Sequence, residues 1–474
     1  MFWILLVDNV EDYRRSLRRL LEAEGFGVLE AASITEADEK LKLPDNIDLA
    51  LVDLRMTDEQ DDYDFSGIEL AKKSREKGIP CIIITAYPSP ESTYEALRSR
   101  GVSPPPAVNF VSKTKGPTAI LIAIQEARGL TLLHISDLHL KALAEGGVPF
   151  DQNQAYRLFL KDVKKQSGLA FHPLQAIIVA GDISFQCGKN SFDQAYHLLT
   201  DLANDLKVPL ERVVLVPGNH DVNRSTARAT VNSLDAMQSG NTAWFSKFDN
   251  YLEFTHRFYG EPAFSLDKLY RLFTFDDRLA IVAFNSCLVE GDAASVCQAC
   301  VRRKKGRKEH YHGWINSEQV IQSSEELNRQ GQKGLRIAVF HHHVVSEDWR
   351  SRGQCDGEHL ANYHRKDSRL SHLLYEQGFG LVLHGHRHKG VLLRSSTPGA
   401  SQPYSFGSGA FWTAGDDPDE RANYLLLQLI PYNDELRVIM REYHPTTDER
   451  SGYWGVDDSV RSDGIISLAG KDVR

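Results

Sequence analysis

Short apolar runs and amphipathic stretches alternate along the first quarter of the chain. Ile4–Val7, Gly27–Ala31, Leu49–Val52, Ile82–Thr85 and Val108–Val111 read as strands. Tyr13–Glu24, Ile34–Leu41, Gly67–Lys77, Tyr94–Arg100 and Thr118–Ala127 place apolar residues at helical spacing, as Leu17, Leu20 and Leu21 do. This alternation predicts βαβ units: an α/β domain with a five-stranded, parallel, doubly wound sheet. A second series of strands starts at Leu130 with no linker before it, at Leu130–Ile135, Ala176–Ala180, Val213–Val216, Ile337–Phe340 and Leu381–Leu383. From Val222 to Phe264 the spacing turns mostly helical. There Trp244, Phe245, Phe248, Tyr251, Phe254 and Phe258 recur three or four residues apart, and core packing accounts for them better than base stacking. The predicted division is residues 1–128 and 129–474, the second domain carrying a helical insertion at about 222–264.

A length of 474 residues allows two or three domains, and 42% hydrophobic with 25% charged residues is ordinary globular composition. The formal net charge of −9 excludes a global basic field, so any polyanion must be bound locally. The apolar stretch Met1–Val7 stops at Asp8, too short for a leader or a span, and no segment offers 18 uninterrupted apolar residues. Six cysteines (Cys81, Cys187, Cys287, Cys297, Cys300 and Cys355) without an export signal read as reduced thiols. A cytoplasmic protein with no membrane attachment is expected.

Ligands of a parallel α/β sheet gather at the carboxyl ends of its strands. Asp8, Asp53, Thr85 and Lys113 stand there in the first domain. Two carboxylates, a hydroxyl and an ammonium in that arrangement suit Mg²⁺ binding, phosphoryl transfer to Asp53, and sensing through Thr85 and Lys113. In the second domain five strand-like runs lead into Ser136-Asp137-Leu138-His139, Gly181-Asp182, Gly218-Asn219-His220-Asp221, His341-His342-His343 and Gly385-His386-Arg387-His388. A lone motif of this kind is weak, whereas five in order, each at a strand end and none with cysteine, point to a dinuclear oxygen and nitrogen site for Mn, Fe or Zn.

The first segment resembles the response-regulator receiver family, through Leu-Val-Asp-Asn at 6–9, Leu-Val-Asp-Leu at 51–54, Ile-Thr-Ala at 84–86 and Phe-Val-Ser-Lys at 110–113. The resemblance implies Asp53 as phosphoacceptor, Thr85 and Phe110 as the switch pair, Lys113 as the phosphoryl contact, and a sensor histidine kinase as partner. Asn9 stands where receivers usually carry a second acid, Thr114 where they carry proline, and the Thr57–Ser66 loop is longer and more acidic than usual. Phosphorylation at Asp53 and a phosphate-independent receiver therefore both stay open. The second segment, about Leu130 to Pro431, resembles the calcineurin-like metallophosphoesterases. That likeness implies a four-layer α/β/β/α domain in which Asp137, His139 and His388 hold one metal. Asp182 bridges to a second, held by Asn219, His341 and His386, and Val344-Val345 replaces the proline often found after the His pair. It further implies His220 near the leaving oxygen, with Asp221 orienting it, and attack by a metal-bridged hydroxide.

Two features stand apart. Cys297-x-x-Cys300 with His310 and His312 lacks the second pair of a zinc knuckle. The run Arg302–Lys308 is either a solvated loop or a clamp for nucleotide phosphates. The reading is a metal-dependent phosphohydrolase of the phosphodiesterase or nuclease type, acting on a nucleotide or nucleic acid in a bacterial two-component response. Its receiver would act through homodimerisation or by covering the cleft. The alternatives are a phosphomonoesterase or protein phosphatase, and a non-catalytic scaffold with a degenerate metal site.

Overall fold

The computed structural model describes residues 2–42, 47–58, 61, 63–77, 79–97, 106–127, 129–140, 152–169, 174–229, 233–275, 278–291, 313–342, 369–386, 388, 390–393, 403–411, 422–430, 435–445, 452–456 and 463–467. The Cys297–Cys300 pair, Cys355, His310, His312, the basic run 302–308, His343, the Val344-Val345 turn and Arg387 lie outside them.

The first unit runs β1 (Trp3–Val7), α1 (Glu11–Ala23), β2 (Gly27–Ala31), α2 (Ile34–Leu41), β3 (Leu49–Asp53), α3 (Ser66–Glu76), β4 (Cys81–Thr85), α4 (Pro90–Leu97), β5 (Asn109–Ser112) and α5 (Pro117–Ala127). Its five strands are all parallel, in the order β2-β1-β3-β4-β5. The central strands β3 and β4 are buried at every residue, because helices cover both faces of the sheet. Leu5 and Val7 face one core, Ile4 and Leu6 the other. The reversal between β1 and β3 is the switch point at which such sheets bind ligands.

Helix α5 ends at Ala127 and β6 (Leu130–Ile135) opens the second unit almost at once. There follow α6 (Gln152–Leu169), β7 (Leu174–Val179), α7 (Lys189–Asp205), β8 (Val213–Leu215), α8 (Arg224–Ala229), α9 (Ser233–Ser239), α10 (Asp249–Tyr259), β9 (Tyr270–Phe275) and β10 (Leu279–Phe284). The chain continues through α11 (Ser317–Arg329), β11 (Leu335–Val339), α12 (Arg369–Glu376), β12 (Phe379–His384), β13 (Val391–Leu393) and β14 (Tyr404–Gly407). It closes with β15 (Asn423–Ile430), β16 (Glu435–Pro445), β17 (Gly452–Val456) and β18 (Asp463–Ser467). One mixed sheet has the order β13-β14-β12-β11-β10-β9; the other runs β17-β16-β15-β6-β7-β8, with β18 paired to β16.

Alternation along the strands sorts the layers. Leu130 and Leu132 of β6 pack between the sheets against Leu279 and Ile281 of β10. Leu133 and Ile135 face outward onto Leu199 and Leu202 of α7 and Phe254 of α10, while Val282 and Phe284 pack under Val320, Leu327 and Leu374 on the far side. Helices, sheet, sheet and helices thus stack as four layers. The aromatic stripe lies inside this packing: Trp244, Phe248, Tyr251 and Phe254 are buried, and Phe254 stacks on Phe192 with ring centroids 5.0 Å apart. Among the described residues no helix is long and apolar enough to cross a membrane. Cys81, Cys187 and Cys287 are buried free thiols.

Candidate metal centre and phosphoacceptor site

Past its last residue β6 keeps bonding sideways to the loop after β7. The amides of Asp137 and His139 donate to the carbonyls of Gly181 and Asp182, at 3.0 and 2.9 Å. Asp182 in turn accepts the His220 amide on Oδ1 at 2.8 Å, and Asp137 Oδ2 accepts the His386 amide at 3.0 Å. With the Gly385 amide donating to the His341 carbonyl at 3.0 Å, the five motifs are laced into one floor by main-chain amides. Gly218 and Gly385 make the close approach possible, since a Cβ at either would overlap Asp182 or Ser136.

Metal-ligating atoms converge on this floor in two groups. Asp137, His139 and His388 form one; Asp182, His341 and His386 form the other. His139, Asp182 and His220 also fall within one ligand sphere, so Asp182 belongs to both sides. His341 Nε2 lies 3.4 Å from Asp182 Oδ2 and 3.0 Å from Asn219 Oδ1, and His386 Nδ1 lies 3.0 Å from that same Asn219 oxygen. The sequence candidates Asp137, His139, Asp182, Asn219, His341, His386 and His388 thus share one site. His342 turns away, its Nδ1 2.9 Å from Ser286 Oγ.

Three observations fit these residues to bound cations. First, nitrogen faces nitrogen, His139 Nε2 to His388 Nε2 at 2.9 Å and His386 Nδ1 to His341 Nε2 at 3.1 Å, pairs in which lone pairs meet unless a proton or cation lies between. Donors about 2.0–2.2 Å from one ion and about 90–110° apart would be about 2.8–3.6 Å from each other. Second, the buried Asp137 Oδ1 has no hydrogen-bond partner among the described residues, although it sits 3.5 Å from His388 Nε2. Third, seven described non-glycine residues have positive φ, and five are Asp137, His139, Asp182, His386 and His388. Backbone strain of this kind collects at functional sites.

Electrostatics bear the same mark. Burial alone would raise Asp182, but His341 beside it holds the carboxyl well below the usual carboxylate range. Burial works against charge on His341 too, yet Asp182 outweighs it and lifts the imidazole to about 9. His386 is pushed down to about 3 by burial and by the neighbouring His341. His341 Nδ1 donates to the Ala180 carbonyl at 2.8 Å, which fixes the tautomer and leaves Nε2 for a ligand.

His220 is fixed the same way. Its Nδ1 donates to the Phe185 carbonyl at 2.7 Å, so Nε2 is the nitrogen left for chemistry. Its ring packs edge-on against His139 with centroids 4.8 Å apart. The expected Asp221 contact to this ring is corrected by the structure. Asp221 is fully buried and its carboxylate accepts the amides of Ile183 (3.0 Å), Ser184 (2.7 Å) and Gly218 (2.9 Å), bracing the loops that carry Asp182 and Asn219. Burial and the nearby Asp182 push it up to about 6 despite those three donors. Phe185 and Ser286, whose hydroxyl accepts the His341 amide at 3.3 Å, were missed by sequence reasoning. Phe185 follows the Gly-Asp motif by three residues, and no sequence signal marks Ser286.

In the first unit Lys113 Nζ bridges Asp8 Oδ2 at 2.7 Å and Asp53 Oδ2 at 2.9 Å. Asp8 and Asp53 are buried, and the Tyr13 ring lies 4.5 Å under the ammonium. Burial raises Asp53 to about 6, Lys113 pulling it down and Asp8 pushing it up. Thr85 ends β4 with its hydroxyl accepting the Tyr87 amide at 3.1 Å, and Phe110 is half-buried against the core of this unit. Asp64 folds the acidic loop inward by accepting the amides of Thr57, Asp58 and Ser66, at 2.8, 2.8 and 2.9 Å.

The calcineurin-like phosphoesterase family model matches residues 130–390, and the response regulator receiver domain model matches residues 4–125. No curated protein matches the sequence. Among solved structures, the chain is similar to a CheY-like response regulator receiver domain protein from Methanospirillum hungatei JF-1, at 28% identity over 27% of this chain and 92% of that one, with a TM-score of 0.23. It is also similar to the response regulator protein TrrA from Thermotoga maritima in complex with Mg²⁺ and BeF, at 26% identity over 27% of this chain and 98% of that one, with a TM-score of 0.21. The parallel order β2-β1-β3-β4-β5 and the receiver match agree on the first unit. The phosphoesterase match implies divalent metals, and the Asp and His groups described above are ones that could bind them.

Proposed function

The chain belongs to the calcineurin-like phosphoesterase family, and from that premise we propose that it hydrolyses phosphodiester bonds of a nucleotide or nucleic acid under control of its receiver domain. The observation that carries the reading is the place of Asp182 between two ligand groups, with Asn219 and His220 on the loop beside it. Asp137, His139 and His388 would hold one divalent ion; Asn219, His341 and His386 would hold the other, Asp182 reaching both. Manganese, iron and zinc suit this oxygen and imidazole set. Bound there, such ions clamp phosphoryl oxygens and acidify the attacking water.

The protein's own part is positioning and proton supply. The Phe185 carbonyl pins His220 Nδ1, so a proton held at Nε2 points into the site for the leaving oxygen. Asp221 contributes at one remove, keeping the Asp182 and Asn219 loops in register. A cavity of about 320 Å³ adjoins Asn219 and His220 and falls in the range of small-molecule sites. That size supports a nucleotide-sized substrate. For control, the division lies at 128/129, and Asp53 accepts the phosphoryl group from a sensor histidine kinase, Lys113 trading a carboxylate for it.

The test is kcat/KM on bis-p-nitrophenyl phosphate against p-nitrophenyl phosphate with Mn²⁺, before and after beryllofluoride and Mg²⁺. The diester is expected to be preferred and its rate to change with beryllofluoride. Turnover of the monoester alone would replace this reading with a phosphomonoesterase.

A further inference from the structure

We propose that the cavity beside Asn219 and His220 is a subsite for a second anionic group of the substrate, and that Arg224 selects for it. The inference rests on the diesterase reading and narrows its substrate to nucleotides with a neighbouring phosphate. Phe185, Gln186, Asn219, His220, Asn223 and Arg224 line this space. His220, read above as facing the leaving oxygen, is part of this lining, which puts the cavity beside the group esterified to the reacting phosphate. One wall is the Phe185 ring, lying at 32° to the His220 ring with centroids 5.7 Å apart, a flat surface suited to a base or sugar.

Arg224 supplies the charge. Its side chain is 27% exposed, and Nε lies 3.3 Å from Glu290 Oε1, a carboxylate only 1% exposed. One terminal nitrogen reaches the Asn219 main-chain oxygen at 3.5 Å, whereas the Asn219 side chain turns to His341 and His386. The guanidinium thus meets the main-chain side of Asn219, while the Asn219 side chain faces the ligand groups. Its anchor is rigid. Lys247, fully buried, donates to Ser233 Oγ and to the carbonyls of Leu288 and Glu290, at 2.9, 2.7 and 3.0 Å. A Cβ at Gly291 would stand 2.7 Å from Ala227 Cβ, so that loop presses directly on the helix bearing Arg224. Burial pushes Glu290 up to about 8 although Arg224 and Lys247 both pull it down. Glu290 thus positions the guanidinium, and the planar fork suits phosphate oxygens.

The experiment is calorimetric titration of the full chain, loaded with Mn²⁺, with thymidine 3′,5′-bisphosphate and with thymidine 3′-phosphate. Wild type is compared with Arg224→Ala, and with Arg224→Gln in case alanine fails to fold. Wild type is expected to prefer the bisphosphate by about tenfold or more, the ratio falling to within about twofold in either variant. No preference in wild type, binding of neither ligand, an unchanged ratio in the variants, or equal weakening of both ligands would each overturn the proposal. Hydrolysis of bis-p-nitrophenyl phosphate by the same wild-type preparation separates the two readings. Turnover without anion preference sinks only the Arg224 subsite; absence of turnover both without and with beryllofluoride and Mg²⁺ sinks the diesterase as well.

Discussion

Replacing Asp221 by asparagine separates two roles for a residue that touches no ligand atom. In the structure Oδ2 accepts the amides of Ile183 and Gly218, and Oδ1 accepts that of Ser184. An asparagine keeping its oxygen at the Oδ2 position turns an NH₂ toward the Ser184 amide, so one charge-assisted bond is lost and two buried donors face each other. A hydrogen bond to a charged group is worth about 1.5–3 kcal/mol, and an orphaned buried donor costs about 1–3 kcal/mol, which sets the expected loss at roughly 3 kcal/mol. By the scaling of domains of about 150–250 residues that is a fall in Tm of about 6–12 °C, and somewhat less in this larger unit. Because the braced loops carry Asp182 and Asn219, Mn²⁺ affinity should fall together with Tm. The pH–rate profile should keep its shape, since His220 is held by Phe185 instead. Differential scanning calorimetry, metal titration and pH–rate curves of Asp221→Asn give the answer. An unchanged Tm and metal affinity with a displaced acidic or basic limb would refute the reasoning and restore a direct Asp221–His220 pairing.

Three further outcomes are expected. In metal-free protein the Asp53 carboxyl, followed by ¹³C NMR, should titrate near 6; Lys113→Met removes a charge that pulls it down and should move the midpoint higher, a lower midpoint contradicting the bridge. Since the folded value lies above that of a free Asp, the stability this group confers is complete below about pH 4 and fades as pH rises through about 6. Gly385→Ala drives a Cβ into Ser136 Oγ and to 2.7 Å from Asp137 Oδ2, so metal analysis should find the Asp137, His139 and His388 group emptied, and retention of full metal content would count against that assignment. Phe254→Ala, at a side chain 2% exposed, should cost about 3–5 kcal/mol in urea unfolding with little change in slope, whereas a loss under about 1 kcal/mol would show that the aromatic cluster packs loosely.

The strands that carry the candidate sites were legible because buried strands are rich in apolar residues: Gly27–Ala31 and Leu130–Ile135 match their elements residue for residue, whereas β9, β10 and β13 to β18 were not read. Helix α4 begins four residues before the periodic stretch at Tyr94, since Pro90 suits a first helical position and the hydroxyls of Ser89 and Ser92 each accept the other's amide at 3.0 Å. The ligand candidates were visible because each follows a strand, and the ends of β6, β7 and β8 in one sheet meet those of β11 and β12 in the other. What supports them was not visible, for it depends on contacts between distant loops. Lys247 looks like a surface lysine within a helical stretch, yet it is fully buried against Leu288 and Glu290. Asp221 stands next to His220 in sequence, but the turn sends its carboxylate to Ile183 and Ser184. Adjacency in sequence misled there because a tight turn points successive side chains to opposite sides. The positive φ of Asp137, His139, Asp182, His386 and His388 leaves no trace in composition or spacing.

The central claim is that Asp182 joins two metal sites into one hydrolytic centre. Its most direct test is bound manganese and bis-p-nitrophenyl phosphate hydrolysis, measured side by side for wild type and Asp182→Asn. Two ions per chain with turnover in wild type, and fewer ions with turnover lost in the variant, are the predicted result. A variant that hydrolyses the diester at the wild-type rate, or a wild type that binds two ions and hydrolyses nothing even with beryllofluoride and Mg²⁺ present, would contradict the account.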